Sequence, residues 1–147
     1  MPSSAPPPEP VFFVDRNLGK QFPEILRAAG VGVEIHDEHF PEDQKPPDDV
    51  WLRLTAERGW IALSQDARIR YTSRSKDTIA ETGARLIIVK GKARNTALGA
   101  NFVRTLPKIR RFIQKNPAPW IAKLYRDPDD SAKPGRIELW VGGEQEG

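Results

Sequence analysis

Cysteine is absent from this 147-residue sequence. Without cysteine the chain can form neither a disulfide bond nor a thiolate metal centre. It also lacks an apolar run of about 18 residues and a leader in which a charged segment precedes an apolar one, so we expect neither a membrane span nor a signal peptide. These absences predict a soluble, cytoplasmic protein without a membrane partner.

A chain of this length buries enough surface to form one stable domain. Its first ten residues, MPSSAPPPEP, are rich in proline and predict a disordered arm. We therefore expect a disordered arm over residues 1–10, a single domain over residues 11–141 and a flexible tail over residues 142–147.

Charge is distributed unevenly along the chain, although the net charge is only +3. Seven acidic residues and one basic residue lie between Glu34 and Asp49, whereas ten Lys or Arg residues and no acidic residue lie between Lys90 and Arg126. Such a basic stretch indicates a surface for an anion, and nucleic acid is the anion we expect. The alternative interpretation is an ordinary solvated helix face.

Short apolar runs alternate with helical patterns along the chain. The runs with strand preference cover residues 11–14, 31–35, 60–63 and 85–89, and amphipathic patterns follow them. Pro107 interrupts the last of these patterns, so we expect a kink or the start of a second helix there. The segments WIAKLY and RIELWV predict a C-terminal β-hairpin, and HDEHFPEDQKPP predicts a long loop. This order predicts an α/β fold, a three-layer sandwich with a mainly parallel sheet.

Acidic residues occur at three places that a parallel sheet would bring to one edge. Asp15 ends the first strand, Asp66 follows the third strand, and Asp48 or Asp49 begins the helix that leads into it. Two carboxylates about 4 Å apart repel by roughly 4 kcal/mol, so a converging set requires a proton or a cation. Oxygen ligands alone favour Mg²⁺ or Mn²⁺. Taken singly, each acid could instead be a helix cap or a turn residue.

Three short motifs, FFVDRN, DDVWL and IALSQDARI, occur in an order that resembles the PIN-like domains, the nuclease fold of many VapC-type toxins. The resemblance covers residues 11–89 and, more loosely, the basic helix beyond. It implies a metal-dependent ribonuclease that acts on RNA. A toxin of this type also implies a small antitoxin protein encoded next to it.

The resemblance also assigns roles to individual residues. It implies that Asp15 is the first metal ligand and Asp66 the third acid, with Asp48 as the middle acid unless the adjacent Asp49 serves instead. The four aspartates are the predicted catalytic residues, and Asp15, Asp48 and Asp66 are the predicted metal ligands. The residues predicted to contact substrate are Arg16, Asn17, Ser64, Arg68, Lys92, Arg94, Arg104, Lys108 and Arg111.

Two arginines depart from the family pattern. Arg16 stands where many relatives have an acid, and Arg68 stands where a second Asp often follows. Such a site would hold one tight metal ion, or a second one only with substrate bound, unless Asp43 or Asp77 replaces the missing acid. The competing interpretation is a module that keeps the fold, has lost the metal, and binds nucleic acid or a protein partner without catalysis.

The histidines and tryptophans carry weaker signals. His36 and His39 flank two acids, which suits a metal site, but we expect them to contact solvent as loop histidines usually do. The four tryptophans fit core positions better than base-stacking positions. Trp120 and Trp140, in the predicted hairpin, could instead form the surface of a homodimer.

Overall fold

The computed structural model describes residues 9–41, 46–68, 73–127 and 133–142. Its strands are β1 Val11–Val14, β2 Gly32–Ile35, β3 Ile61–Ser64, β4 Arg85–Val89, β5 Trp120–Tyr125 and β6 Arg136–Gly142. They form one sheet in the order β2-β1-β3-β4-β5-β6. Strands β1 to β5 are parallel, and β6 pairs antiparallel with β5. The predicted parallel sheet and C-terminal hairpin are confirmed.

Helices cover both faces of this sheet. They are α1 Gln21–Ala28, α2 His36–His39, α3 Asp48–Arg58, α4 Ser73–Thr82 and α5 Asn95–Lys115, and a 3₁₀ turn spans Arg16–Leu18. Helices α1 and α5 share one hydrophobic core with the sheet, and α3 and α4 share the other. The predicted three-layer α/β sandwich is therefore confirmed.

The alternation of side chains along β1 explains how one strand serves both cores. Phe12 and Val14 point into the core on the α1 and α5 side, and Phe13 points into the core on the α3 and α4 side. Phe12 packs edge-on against Phe102 of α5, with 5.0 Å between ring centroids. Because β1 is buried on both faces, its apolar run must stop where the chain reaches the sheet edge, and Asp15 occupies that point.

Two local expectations change. Helix α5 continues through Pro107, so no second helix begins there, whereas the alternative of a kink stays a prediction. The buried side chains of Leu106 and Ile109 hold the turns on both sides of the proline against the core. The predicted loop after β2 begins with the short helix α2 instead.

The predicted chain ends are described only in part. Gly142, placed in the flexible tail by sequence, pairs with Trp120 at the end of β6. Residues 1–8, 143–147 and Asp43 lie outside the described residues. Within the described ranges, no helix combines the length and apolarity that crossing a bilayer requires.

Candidate active site

Asp15 lies where β1 ends at the carboxyl edge of the sheet. Its backbone N–H donates to the Leu63 carbonyl at 3.0 Å, which holds the end of β1 beside the end of β3. The Asp15 Oδ1 accepts the Arg16 backbone N–H at 2.7 Å, and its Oδ2 accepts the Ser64 hydroxyl at 2.9 Å. The carboxylate is thus fixed from both strands.

Ser64 and Asn17 form a polar clamp around this carboxylate. The fully buried Ser64 hydroxyl accepts hydrogen bonds from the Asn17 side-chain amide at 3.0 Å and from the Asp66 backbone N–H at 3.1 Å. The Asn17 side-chain carbonyl in turn accepts the Gln65 backbone N–H at 3.0 Å. Asn17 and Ser64, which are among the predicted substrate contacts, therefore link the ends of β1 and β3 to each other.

The neighbouring acids Asp48 and Asp49 face different partners at the start of α3. Asp49 Oδ2 lies 3.3 Å from Arg74 Nε, so its carboxylate joins α3 to α4. Asp48 accepts the indole N–H of Trp51 at 3.2 Å, and its charge acts on both Asp15 and Asp66. Of the two candidates for the middle acid, Asp48 is the one that shares the electrostatic field of the strand-end carboxylates.

Burial and mutual repulsion perturb these acids. Desolvation raises the pKa of Asp15 to about 6, and the charges of Asp48 and Asp66 act in the same direction. The hydrogen bonds from Ser64 and Arg16 oppose this rise but do not cancel it. Burial likewise raises the pKa of Asp48, with the Trp51 indole opposing. The site therefore holds negative charge that protein groups do not fully compensate.

Asp66 differs because Arg68 compensates its charge. Asp66 Oδ1 accepts the Arg68 backbone N–H at 2.9 Å and its Nε at 3.0 Å, and Oδ2 accepts Nη2 at 3.3 Å. These hydrogen bonds hold the pKa of Asp66 below its usual value. Arg68 is 89 % exposed, so solvent screens the pair strongly.

The donor set suits a hard divalent cation in charge and chemistry. Three carboxylates contribute oxygen atoms only, and the raised pKa of Asp15 indicates that a positive charge beside it would be favourable. In the described part of the chain, however, no three His, Asp or Glu side chains are close enough together to hold an ion as they stand. Both Asp66 oxygens accept hydrogen bonds from Arg68, so the arginine would compete with an ion for this carboxylate. Asp77, the predicted replacement acid, lies exposed on α4.

A family model described as "PIN like domain" matches residues 10–91. The chain belongs to the PIN-like domain family. It is 37% identical over 117 residues to a protein of Mycobacterium tuberculosis (strain ATCC 25618 / H37Rv) named "Putative ribonuclease VapC45", a match that covers 77% of this chain and 84% of that protein. No solved structure matches the chain significantly. The resemblance drawn from the three motifs is confirmed as a VapC-type PIN-like domain.

Basic residues of this PIN-like domain approach the carboxylates from the start of α5. A side chain at Gly19, which has a φ of 75°, would clash with the Asn95 amide at 2.3 Å, so the 3₁₀ turn after Asp15 lies directly against that helix start. Lys92 and Arg94 are exposed in the segment between β4 and α5. They therefore lie at the same sheet edge as Asp15.

The other predicted substrate residues are farther along or already engaged. Arg104, Lys108 and Arg111 follow on α5, which runs from this edge toward the opposite one. Lys108 donates to the Gly135 carbonyl at 3.0 Å, and the buried Arg104 Nε has no hydrogen-bond partner among the residues that the structure describes. The Arg16 guanidinium holds the segment around α2.

The guanidinium of Arg16 anchors α2 and the residues after it. It pairs with the Asp37 carboxylate and donates from Nη2 to the carbonyls of Phe40 at 2.7 Å and Pro41 at 2.8 Å. Sequence analysis missed this anchor, because nothing in the spacing of Arg16 and Asp37 indicates that they meet. The arginine that stands in place of a family acid thus has a structural partner.

The PIN-like domain buries one of its two histidines. His36 is 3% exposed and packs against Phe13, Phe40 and Trp51, so the prediction that it contacts solvent is wrong. Its burial lowers the pKa to about 4, and the charge of Arg16 adds to the effect. His39 is partly buried, with Nε2 2.8 Å from the Glu34 carboxylate.

The tryptophans occupy core positions, as the sequence indicated. Trp51 and Trp120 are 1% exposed, while Trp60 and Trp140 are partly buried against the core on the α3 and α4 side. Trp120 therefore offers no surface for a homodimer. A dimer through the hairpin stays a prediction that now concerns β6, where Leu139 is 45% exposed.

Proposed function

We propose that this protein is a ribonuclease that depends on Mg²⁺ or Mn²⁺ and acts as the toxin of a toxin–antitoxin pair. The observation that carries the proposal is the buried Asp15 carboxylate, whose pKa is raised toward 6 beside Asp48 and Asp66. Asp15 also caps the 3₁₀ turn by accepting the Arg16 backbone N–H, but capping does not require the nearby charges of Asp48 and Asp66. The name of the mycobacterial relative supports the same activity.

Asp15 and Asp48 would hold the ion, and Asp66 would join them once Arg68 moves away. A bound divalent ion would supply Lewis-acid activation of water and neutralise charge on the phosphate. Asn17 and Ser64 serve as positioning residues, because their hydrogen bonds fix the Asp15 carboxylate and the turn that carries Asp66.

The RNA strand would reach this site along basic side chains. Lys92 and Arg94 lie at the carboxylate edge and can pair with phosphate oxygens, and Arg104, Lys108 and Arg111 extend the positive charge along α5. Binding through phosphates weakens as salt rises, since counterions are released. We also propose that the toxin acts in the cytoplasm, where its RNA substrate is found, and that a small antitoxin protein is its partner.

The pair between Arg68 and Asp66 favours a second candidate function. While both Asp66 oxygens accept from Arg68, one predicted ligand is withheld from the ion. A domain that kept this pair with RNA bound would bind RNA without cleaving it. The two functions differ in whether Mn²⁺ binds and whether RNA is cut.

The adjacent aspartates give the sharpest test of the metal site. In calorimetric titrations with Mn²⁺, Asp15→Asn and Asp48→Asn should each weaken binding by at least about tenfold, or about 1.4 kcal/mol. Asp49→Asn is the matched control, because Asp49 pairs with Arg74 and should leave the affinity unchanged. Equal affinity in Asp48→Asn and the parent would remove Asp48 from the site.

Cleavage and toxicity complete the test. Purified protein with Mn²⁺ should cut RNA, and Asp15→Ala or a chelator should stop it. Expression of the parent chain should arrest growth, and Asp15→Ala or co-expression of the small neighbouring reading frame should restore it. If the parent neither binds Mn²⁺ nor cuts RNA but still binds RNA, the binding module is the correct function.

A further inference from the structure

A cavity of about 440 Å³ lies at the edge of the sheet where the parallel strands begin. Val11 at the start of β1 and Arg85 at the start of β4 line it, together with Arg58 at the end of α3. Strands of four or five residues, at about 3.3 Å per residue, separate it by roughly 15 Å from the carboxylates at the other edge. The cavity is thus distinct from the candidate active site.

Three arginines from three different elements line this one cavity. Arg85 Nη2 donates to the Gly59 carbonyl at 3.0 Å. The Arg58 guanidinium carbon lies 5.4 Å from the centroid of the Trp60 ring. Arg110 comes from α5 on the other face of the sheet. The fold therefore gathers guanidinium groups that are far apart in sequence.

The lining carries more positive than negative charge. Among the lining residues that the structure describes, Glu9 is the one with a carboxylate, and its Oε1 lies 2.9 Å from Arg110 Nη2. Three guanidinium groups against one carboxylate leave an excess of two positive charges. Glu9 is 70% exposed, so its ion pair is weak and can be displaced.

Arg85 shows that this charge is partly withdrawn from water. Burial lowers the pKa of its guanidinium, and no carboxylate within the described ranges pairs with it. A desolvated cation without a counter-charge costs free energy unless an anion binds to it. Glu9 shows that an oxyanion can lie beside Arg110 in this cavity.

We propose that this cavity binds the terminal phosphate monoester of a nucleotide, either free or at the end of an RNA strand. Arginine forks match phosphate oxygens in bidentate geometry, and a doubly charged monoester balances the excess of two. The volume exceeds what a phosphate alone would fill and lies in the range of small-molecule sites. Trp60, Val11 and Ile113 supply apolar wall for the nucleoside.

Phosphate binding in this cavity does not depend on the proposed nuclease activity. The experiment is therefore done without metal ions and with a variant that should not cleave RNA. Adenosine 5′-monophosphate would be titrated by calorimetry into full-length Asp15→Asn protein with a chelator present, with adenosine as the control ligand. We expect the monophosphate to bind at least about tenfold more tightly than adenosine, because charge-assisted hydrogen bonds to the phosphate provide most of the attraction. Nucleotide binding in the cavity should be the same whether or not the carboxylate site at the other sheet edge cleaves RNA.

Four variants connect the binding to the cavity. Arg110→Met and Arg85→Met should each weaken the binding of the monophosphate by about tenfold. Glu9→Gln should tighten it severalfold, since the competing carboxylate is gone. Arg53→Met is the matched control, because Arg53 lies on the exposed surface of α3 and pairs with Glu81 outside the cavity. Arg110 is itself half exposed, so its variant should fold even if Arg85→Met does not.

A short RNA with and without a terminal 5′ phosphate separates the two sources of the ligand. Tighter binding of the phosphorylated strand assigns the cavity to RNA ends, and binding of the free nucleotide alone assigns it to a small-molecule ligand. The proposal is overturned if adenosine and its monophosphate bind equally, or if Arg110→Met and Arg85→Met both keep the parent affinity. Tighter binding of a glutamate-rich peptide than of the monophosphate would also overturn it, in favour of a protein partner.

Discussion

Replacing Asp15 by Asn should change how the stability of the metal-free protein depends on pH. In the folded protein the Asp15 pKa is about 6, against 3.8 in an unfolded chain. The folded state thus holds this proton more tightly than the unfolded state, and protonation favours folding. The stabilisation is fully present below about pH 4 and is lost as pH rises through about 6.

The difference between the two pKa values sets the magnitude of the effect. It corresponds to about 3 kcal/mol of unfolding free energy that the ionised carboxylate costs at pH 7.5. The uncharged Asn side chain avoids that cost. Its amide N–H, however, would point at the Ser64 oxygen, which already accepts hydrogen bonds from the Asn17 side-chain amide and the Asp66 backbone N–H. One frustrated hydrogen bond costs about 1 kcal/mol, so we expect a net gain of about 2 kcal/mol.

His36 acts in the opposite direction over the same pH range. Its pKa is lowered to about 4 from 6.5, so its contribution to stability is present above about pH 6.5 and is lost as pH falls through about 4. In the parent the two groups oppose each other. In Asp15→Asn only the contribution of His36 remains. The unfolding free energy of this variant should therefore fall as the solution becomes more acidic.

Urea unfolding between pH 4.5 and 8 in the presence of a chelator measures both effects. Asp77→Asn is the matched control, since Asp77 is an exposed carboxylate on α4 and should leave the profile of the parent unchanged. The reasoning is refuted if Asp15→Asn is no more stable than the parent at pH 7.5 and keeps the same dependence on pH.

Three further predictions concern the clamp, the competing arginine and the basic helix. Asn17→Ala removes two hydrogen bonds between the ends of β1 and β3, so it should lower the unfolding free energy by about 1–2 kcal/mol in urea and weaken Mn²⁺ binding in calorimetry. Arg68→Met should raise Mn²⁺ affinity severalfold by releasing the Asp66 carboxylate, and unchanged affinity would count against the competition. Reversing Arg104, Lys108 and Arg111 to Glu should weaken RNA binding and flatten its salt dependence while Mn²⁺ affinity stays the same.

Much of the fold follows from periodicity alone. An apolar run such as residues 11–14, between a proline and an aspartate, indicates a strand buried on both faces, and four such runs separated by helical patterns predict a parallel sheet. The exceptions have tertiary causes. Helix α5 tolerates Pro107 because its neighbours are packed, and α2 forms where the sequence shows only polar and proline residues because Arg16 binds the chain that follows it.

The candidate site was predictable in its location but not in its contacts. Parallel topology places Asp15 and Asp66 at one edge, whatever their side chains do. Whether Asp48 or Asp49 faces that edge depends on the rotation of α3, and Arg74 on another helix takes Asp49. No pattern in the sequence indicates that partner. The same holds for Ser64, whose buried hydroxyl donates to Asp15, while its predicted contact with substrate stays a prediction.

The cluster of aspartates and the arginine cavity lie at opposite edges of the sheet for the same structural reason. A strand buried on both faces offers polar side chains a place only where it enters and where it leaves the core. Asp15 and Asp66 follow the ends of β1 and β3, whereas Arg85 begins β4 and Arg58 lies just before β3. A cation is therefore favoured at one edge and an anion at the other. Because α5 runs between the edges with a basic surface, an RNA strand held along it would lie between the carboxylates and the arginine cavity.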